Sequence, residues 1–237
     1  TLKNLTFSYT EDKTTLKNIS FSIKSGEKVA IMGASGSGKT TISQLIAGFY
    51  AKNSGDILYN DISIDNISKK SLREHLFLVL QMPILFNNTL RFNLTMGENI
   101  SNEKIKEALK IAQLNSMLEN LPDGLDTIVG KMGIRLSGGQ RQRLSIARMI
   151  LANPSVVIFD ESTSALDVQT ETKLFENLEN ILKDKTVITI AHRLSTVKNA
   201  SKIFVLEDGE LVQSGTHMEL EDEIGHYKEF VKHQLLN

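Results

Sequence analysis

The 237-residue chain has no cysteine, no tryptophan and only three prolines. Without cysteine there is no disulfide and no thiolate metal site, although the compartment stays open, because a cysteine-free chain suits any redox environment. Neither sign of charge dominates: 27 Lys and Arg stand against 28 Asp and Glu, a net charge of -1. No basic face is implied, so no nucleic-acid partner is expected. Long apolar runs are missing too. Residues 156–159 make a run of buried-strand length, far short of the roughly 18 residues that a membrane-spanning helix needs. No signal-peptide pattern opens the chain. It begins at Thr1, inside what reads as a strand and without a methionine. We therefore expect a portion of a longer polypeptide, and the lack of a membrane span describes this portion alone. With 41% hydrophobic residues, the length suffices for one substantial core.

What is present alternates between two periods. Residues 2–9 place Leu5, Phe7 and Tyr9 on one face, and residues 19–23 repeat that pattern, so both read as half-buried strands with Glu11-Asp12-Lys13 as the turn between them. Residues 28–32 are a short apolar strand running into a glycine loop, followed by a helix over 39–46 that Gly48 stops. Residues 56–59 and 76–80 are further strands, and Pro83 ends that region. From 84 to 153 the periodicity is helical, with Ile105, Leu109, Ala112 and Ile111 as its apolar positions. Strands return at 156–159, 187–190 and 203–206, with a helix over 168–182 among them. Strands alternating with helices of that length predict a parallel sheet with crossover helices. Thr216 and Glu219 have capping-box spacing and predict one more helix start.

Three segments carry chemistry. The first is the loop Gly33-Ala34-Ser35-Gly36-Ser37-Gly38-Lys39-Thr40, followed by Thr41. Its glycines let successive backbone N–H groups face phosphate oxygens, and the next helix adds its positive end. Lys39 is spaced to reach the outer phosphates, and Thr40 offers a hydroxyl to Mg²⁺. The second is Val156-Val157-Ile158-Phe159-Asp160-Glu161, a buried strand delivering two acids to the carboxyl edge of a sheet, where ligands bind. Asp160 suits Mg²⁺; Glu161 suits a base that deprotonates the attacking water. The third is Leu136-Ser137-Gly138-Gly139-Gln140. Ser137 and Gln140 fit a capping box, but two adjacent glycines cost helix stability and allow close backbone approach. A helix start stripped of side chains is a seat for phosphate.

These motifs, in this order, resemble the nucleotide-binding domains of ABC transporters over nearly the whole chain. The resemblance implies an α/β fold: a P-loop NTPase core with a mainly parallel sheet, an N-terminal antiparallel β region and an inserted α-helical subdomain. We expect one domain over 1–237, with 1–82 and 154–237 as the ATP-binding core and 83–153 as the helical subdomain. It implies ATP and Mg²⁺ as cofactors. It also implies a second such domain, identical or homologous, in a head-to-tail sandwich, so that Ser137, Gly138, Gly139 and Gln140 meet the phosphates bound to a partner's Lys39 and Thr40. By the same resemblance Tyr9 stacks on adenine, and Gln81 touches the metal or the water. Ser164-Ala165-Leu166-Asp167 joins the two domains, and His192 contacts the γ-phosphate. Segments 86–94, 191–197 and 213–217 look like the exporter branch, which places the domain at the cytoplasmic face of a membrane beneath a transmembrane domain. An importer subunit is the alternative, and a soluble ATPase of the same type or a non-catalytic sensor a more distant one. One departure stands out: Lys131 occupies a loop where exporters commonly carry an acid.

Overall fold

The computed structural model describes residues 1–160, 166–191 and 194–235. From the amino end, β1 (Leu2–Thr10) and β2 (Lys13–Phe21) form a hairpin, followed by β3 (Lys28–Gly33), α1 (Lys39–Ile46), β4 (Ser54–Tyr59) and β5 (Ile62–Ser63). Next come α2 (Lys69–His75), β6 (Leu76–Val79), β7 (Asn88–Thr89), α3 (Leu90–Thr95), α4 (Asn102–Ile111) and α5 (Asn115–Glu119). The middle of the chain holds β8 (Ile128–Val129), α6 (Gly138–Ala152), β9 (Val156–Asp160) and α7 (Val168–Leu182). The last elements are β10 (Thr186–Ile190), α8 (Leu194–Lys198), β11 (Lys202–Glu207), β12 (Glu210–Gly215), α9 (His217–Asp222) and α10 (His226–Leu235).

The chain divides into two compact units, one of Thr1–Leu78, Ser155–Asp160 and Lys185–Asn237, the other of Val79–Pro154 and Glu161–Asp184. In the first, an antiparallel sheet runs β2-β1-β4-β5 and a larger sheet runs β12-β11-β3-β10-β9-β6. The pairs β11·β3, β3·β10 and β10·β9 are parallel, and β12 joins the edge antiparallel. Helices close both faces of a parallel sheet, so its strands are apolar on both sides. Val29 and Ile31 of β3 enter one core with Leu5, Leu16, Ile42 and Leu45, while Ala30 and Met32 enter the other with Val197, Val205 and Tyr227.

Two local readings of the sequence need correction. Thr10 pairs with Lys13, so the turn is Glu11-Asp12 alone; β2 starts at Lys13 and stops at Phe21, short of Ile23. Register shifts along the hairpin and the left-handed backbone of Asn18 (φ +53°) break the simple alternation that pointed to 19–23. The sequence reading also passed over β12. Its signal was the pair Asp208-Gly209, whose φ values of +46° and +80° are those of a tight hairpin turn between β11 and β12.

The second unit gathers Leu90 and Leu94 of α3, Ile105 and Leu109 of α4, and Leu144 and Ala147 of α6 into its core. Its irregular stretch before β7 depends on two buried polar side chains. Asn93 accepts from the Phe86 N–H at 2.8 Å and donates to the carbonyls of Phe86, Asn88 and Thr89 at 2.9, 3.3 and 3.0 Å. Arg148 donates to the carbonyl of Asn93, to Ile84 O at 2.8 Å and to Asn93 Oδ1 at 3.2 Å. Burial pulls the guanidinium down to about 10. A stretch with no ladder of its own needs such partners, because a buried backbone group left unpaired costs about 1–3 kcal/mol.

Arg148→Ala should therefore destabilise the chain by about 3 kcal/mol in urea unfolding. Arg148→Lys should recover little of that, since an ammonium lacks the planar fork. A loss below about 1 kcal/mol for the alanine variant would contradict this role.

Candidate functional site

Strand register brings the first unit's candidate residues together. Ile31 of β3 pairs with Ile190 of β10, and Ile190 pairs with Asp160 of β9. Parallel strands end at a common edge, so Asp160 emerges level with the point where β3 runs into its loop. Gly33 closes β3 at φ +152°, and a Cβ there would lie 2.1 Å from the Leu206 carbonyl oxygen of β11. The neighbouring strand therefore requires glycine at 33. Gly36 (φ +81°) and Gly38 (φ +101°) supply the positive-φ turns of the loop, alternating with Ser35 and Ser37. A Cβ at Gly38 would meet the Leu16 side chain at 2.5 Å.

Lys39 is buried and folds back over this loop: Nζ donates to Gly33 O at 2.9 Å and to Ala34 O at 2.8 Å. One ammonium thus pins both carbonyls at the loop's start. Helix α1 begins at Lys39 with Gly38 as its N-cap and no side-chain cap bond, so its first N–H groups stay available to an anion. Ser37 Oγ is buried, and no hydrogen-bond partner is found for it among the described residues. A cradle of glycines, a positioned ammonium, an uncapped helix start and an orphaned hydroxyl fit a nucleotide's phosphates.

Thr40 Oγ1 donates to Asp160 Oδ1 at 3.3 Å, and Asp160 is buried. A hydroxyl and a carboxylate are hard oxygen donors, the set that Mg²⁺ takes when phosphates supply further ligands. Tyr9 sits on the other side of α1. Its hydroxyl lies 3.1 Å from Thr41 Oγ1 and donates to Gln44 Oε1 at 3.2 Å. Phe7 and Tyr50 pack edge-on against its ring at 4.8 and 5.2 Å, while half of the residue remains exposed. Thr41 and Gln44 therefore hold the ring upright with one surface open.

The second unit carries other residues singled out in the sequence. Ser137 caps α6 in a full capping box: its Oγ accepts from Gln140 N at 3.1 Å, and its N–H donates to Gln140 Oε1 at 2.8 Å. The box uses the N–H groups of Ser137 and Gln140 and leaves those of Gly138 and Gly139 outside it. Gln81 is exposed, and its carbonyl accepts from Gln142 Nε2 of α6 at 3.2 Å. Asp167 caps α7 by accepting from Thr170 N at 2.9 Å. Hydrogen bonds from Thr170, side chain first and then backbone, hold its carboxyl below the ordinary value.

Two residues link these segments: Arg143, which with Arg141 and Arg148 reads in the sequence as part of a solvated or structural face, and Gln113, which the sequence does not single out. Arg143 Nη1 donates to Gln113 O at 2.6 Å and Nε to Gly139 O at 3.4 Å, while Gln113 Nε2 donates to Thr170 O at 3.2 Å. Burial lowers the Arg143 pKa, and the Asp167 carboxylate offsets part of that. The start of α6 and the start of α7 are thus joined through α6 and the end of α4. Periodicity gives no sign of Gln113, which sits just past α4 in a left-handed conformation (φ +55°). Glu161, Ser164, Ala165 and His192 lie outside the described residues.

Comparison with known proteins bears on the family and the fold. The sequence profile described as ABC transporter matches residues 16–164. The chain is 44% identical over 235 residues to an ATP-dependent lipid A-core flippase of Syntrophus aciditrophicus (strain SB), covering 99% of this chain and 39% of the flippase. It is 43% identical over 226 residues to an uncharacterized ABC transporter ATP-binding protein of Bacillus subtilis (strain 168), covering 95% of this chain and 39% of that protein. Among solved structures, a bacterial Atm1-family ABC exporter with ATP bound superposes with a TM-score of 0.92 at 38% identity, covering 98% of this chain and 41% of the exporter. The chain thus spans about two fifths of the length of these relatives.

Ser137→Ala should lower thermal stability by about 1 kcal/mol without nucleotide, because the cap is lost. Ser137→Asp, which keeps an N-cap acceptor, should recover most of it. Equal melting of Ser137→Ala and the parent chain would show that the box carries no stability.

Proposed function

The chain belongs to the ABC transporter family, and from that premise we propose that it is the ATP-binding, ATP-hydrolysing domain of a larger exporter. The observation that carries this reading is the loop pinned by Lys39, with Thr40 already in contact with Asp160 at the same sheet edge. The names of the flippase and the exporter among its relatives support export rather than import.

Each residue's part follows from its chemistry. Loop N–H groups from Gly33 to Thr41 bind the phosphates, and the Lys39 ammonium neutralises their charge. Tyr9 offers a ring face to adenine. Thr40 and Asp160, with Gln81, would hold Mg²⁺, which supplies positive charge to the phosphate oxygens when bound. Glu161 takes the proton of the water that attacks the γ-phosphorus in line, and His192 holds the transferring group by a hydrogen bond. Positioning and charge supply most of the acceleration. Ser137, Gly138, Gly139 and Gln140 present a bare helix start to the phosphates held by a second, head-to-tail copy or homologue. Asp167 lies on the segment joining the two. Closure of the pair on ATP and opening after hydrolysis would drive a transmembrane domain from the cytoplasmic face of the membrane.

Lys39→Ala should weaken ATP binding in calorimetry by about 10- to 100-fold, the worth of charge-assisted hydrogen bonds to phosphate. Undiminished affinity would overturn the assignment of this loop.

A further inference from the structure

Ser43 lies in the middle of α1 and is fully buried. A buried hydroxyl needs partners, and two acceptors face this one: Thr40 O at 2.8 Å and Asp160 Oδ2 at 3.3 Å. Thr40 and Ser43 are three residues apart, so they share one face of the helix. The two oxygens of Asp160 therefore each meet a hydroxyl from that face, Oδ1 from Thr40 and Oδ2 from Ser43.

We propose that Ser43 is a positioning residue for the metal: it fixes the plane of the Asp160 carboxylate so that Oδ1 faces the Thr40 hydroxyl and a cation beside it. This rests on the reading of Thr40 and Asp160 as holders of Mg²⁺. A carboxylate held at one oxygen swings about its last side-chain torsion, which is broad and soft. Held at both oxygens, it presents one lone-pair direction, which suits an ion that demands near-octahedral geometry. The hydroxyl also keeps a buried negative charge solvated when the cation is absent. The Thr40 carbonyl, nearer at 2.8 Å than Asp160 Oδ2 at 3.3 Å, competes for the one hydroxyl hydrogen, and a serine serving only α1 would spend it there. Such a serine would be indifferent to the metal.

The test is binding of a fluorescent ATP analogue to the 237-residue chain, first in excess EDTA and then across a Mg²⁺ titration. Ser43→Ala should fold, since alanine favours helix, and melting curves check that it does. Its affinity in EDTA should match that of the parent chain, while the Mg²⁺ concentration for half-maximal tightening rises about three- to tenfold, as for one lost hydrogen bond to a charged group. Ser43→Thr, which keeps the hydroxyl, should restore the midpoint. An unchanged midpoint in Ser43→Ala overturns the proposal. So does a parallel loss of EDTA affinity and melting temperature, which reduces Ser43 to a helix bond. A parent chain whose nucleotide affinity ignores Mg²⁺ overturns the metal reading itself, and this proposal with it.

Discussion

The nucleotide site depends on one close approach, the backbone of Gly33 against the Leu206 carbonyl of the neighbouring strand. No side chain fits there, so glycine is required at the residue where β3 gives way to the loop. The rest follows in order. The loop begins at a fixed height above the sheet. Lys39 then reaches back to the carbonyls of Gly33 and Ala34 and fixes where α1 starts. With that start fixed, Thr40 and Ser43 fall on the helix face opposite Asp160. Parallel pairing through Ile31 and Ile190 brings Asp160 to the same level. The pair of oxygens that we propose for the cation thus comes together through strand register and a glycine.

The second unit solves a different problem, presenting a bare helix start without letting the helix fray. The capping box spends Ser137 and Gln140 on the end of α6 itself. The glycines between them contribute backbone alone and cost helix propensity. Burial of Leu144 and Ala147 offsets that cost, and Arg148 ties the same helix to the stretch before β7. Arg143 and Gln113 then connect it to the segment that Asp167 caps. Polar side chains do here what a ladder of backbone bonds does in the sheet.

Much of this was legible in the sequence because it is local. The loop from Gly33 to Thr40, the apolar strand ending in Asp160 and the box at Ser137 are each written in consecutive residues, and their physics is short-ranged. The parallel core followed from period and spacing, and the antiparallel amino-terminal region from the family resemblance. What escaped depends on distant pairing. The bent hairpin of β1 and β2 turns on register shifts that alternation does not encode. Arg148, one of three arginines on a polar-looking helix, gives no sign in sequence that its guanidinium lies buried among carbonyls. Ser43 reads as an ordinary break in an apolar helix, because its partner Asp160 is 117 residues away.

The central proposal is that this chain hydrolyses ATP only when a second such domain, identical or homologous, shares the nucleotide. The most direct test is ATP turnover per molecule as protein concentration is raised, with Glu161→Gln as the control. The account predicts that the rate per molecule climbs with concentration and disappears in the control. A constant rate per molecule, in a chain that sizing shows to be monomeric throughout, would contradict it.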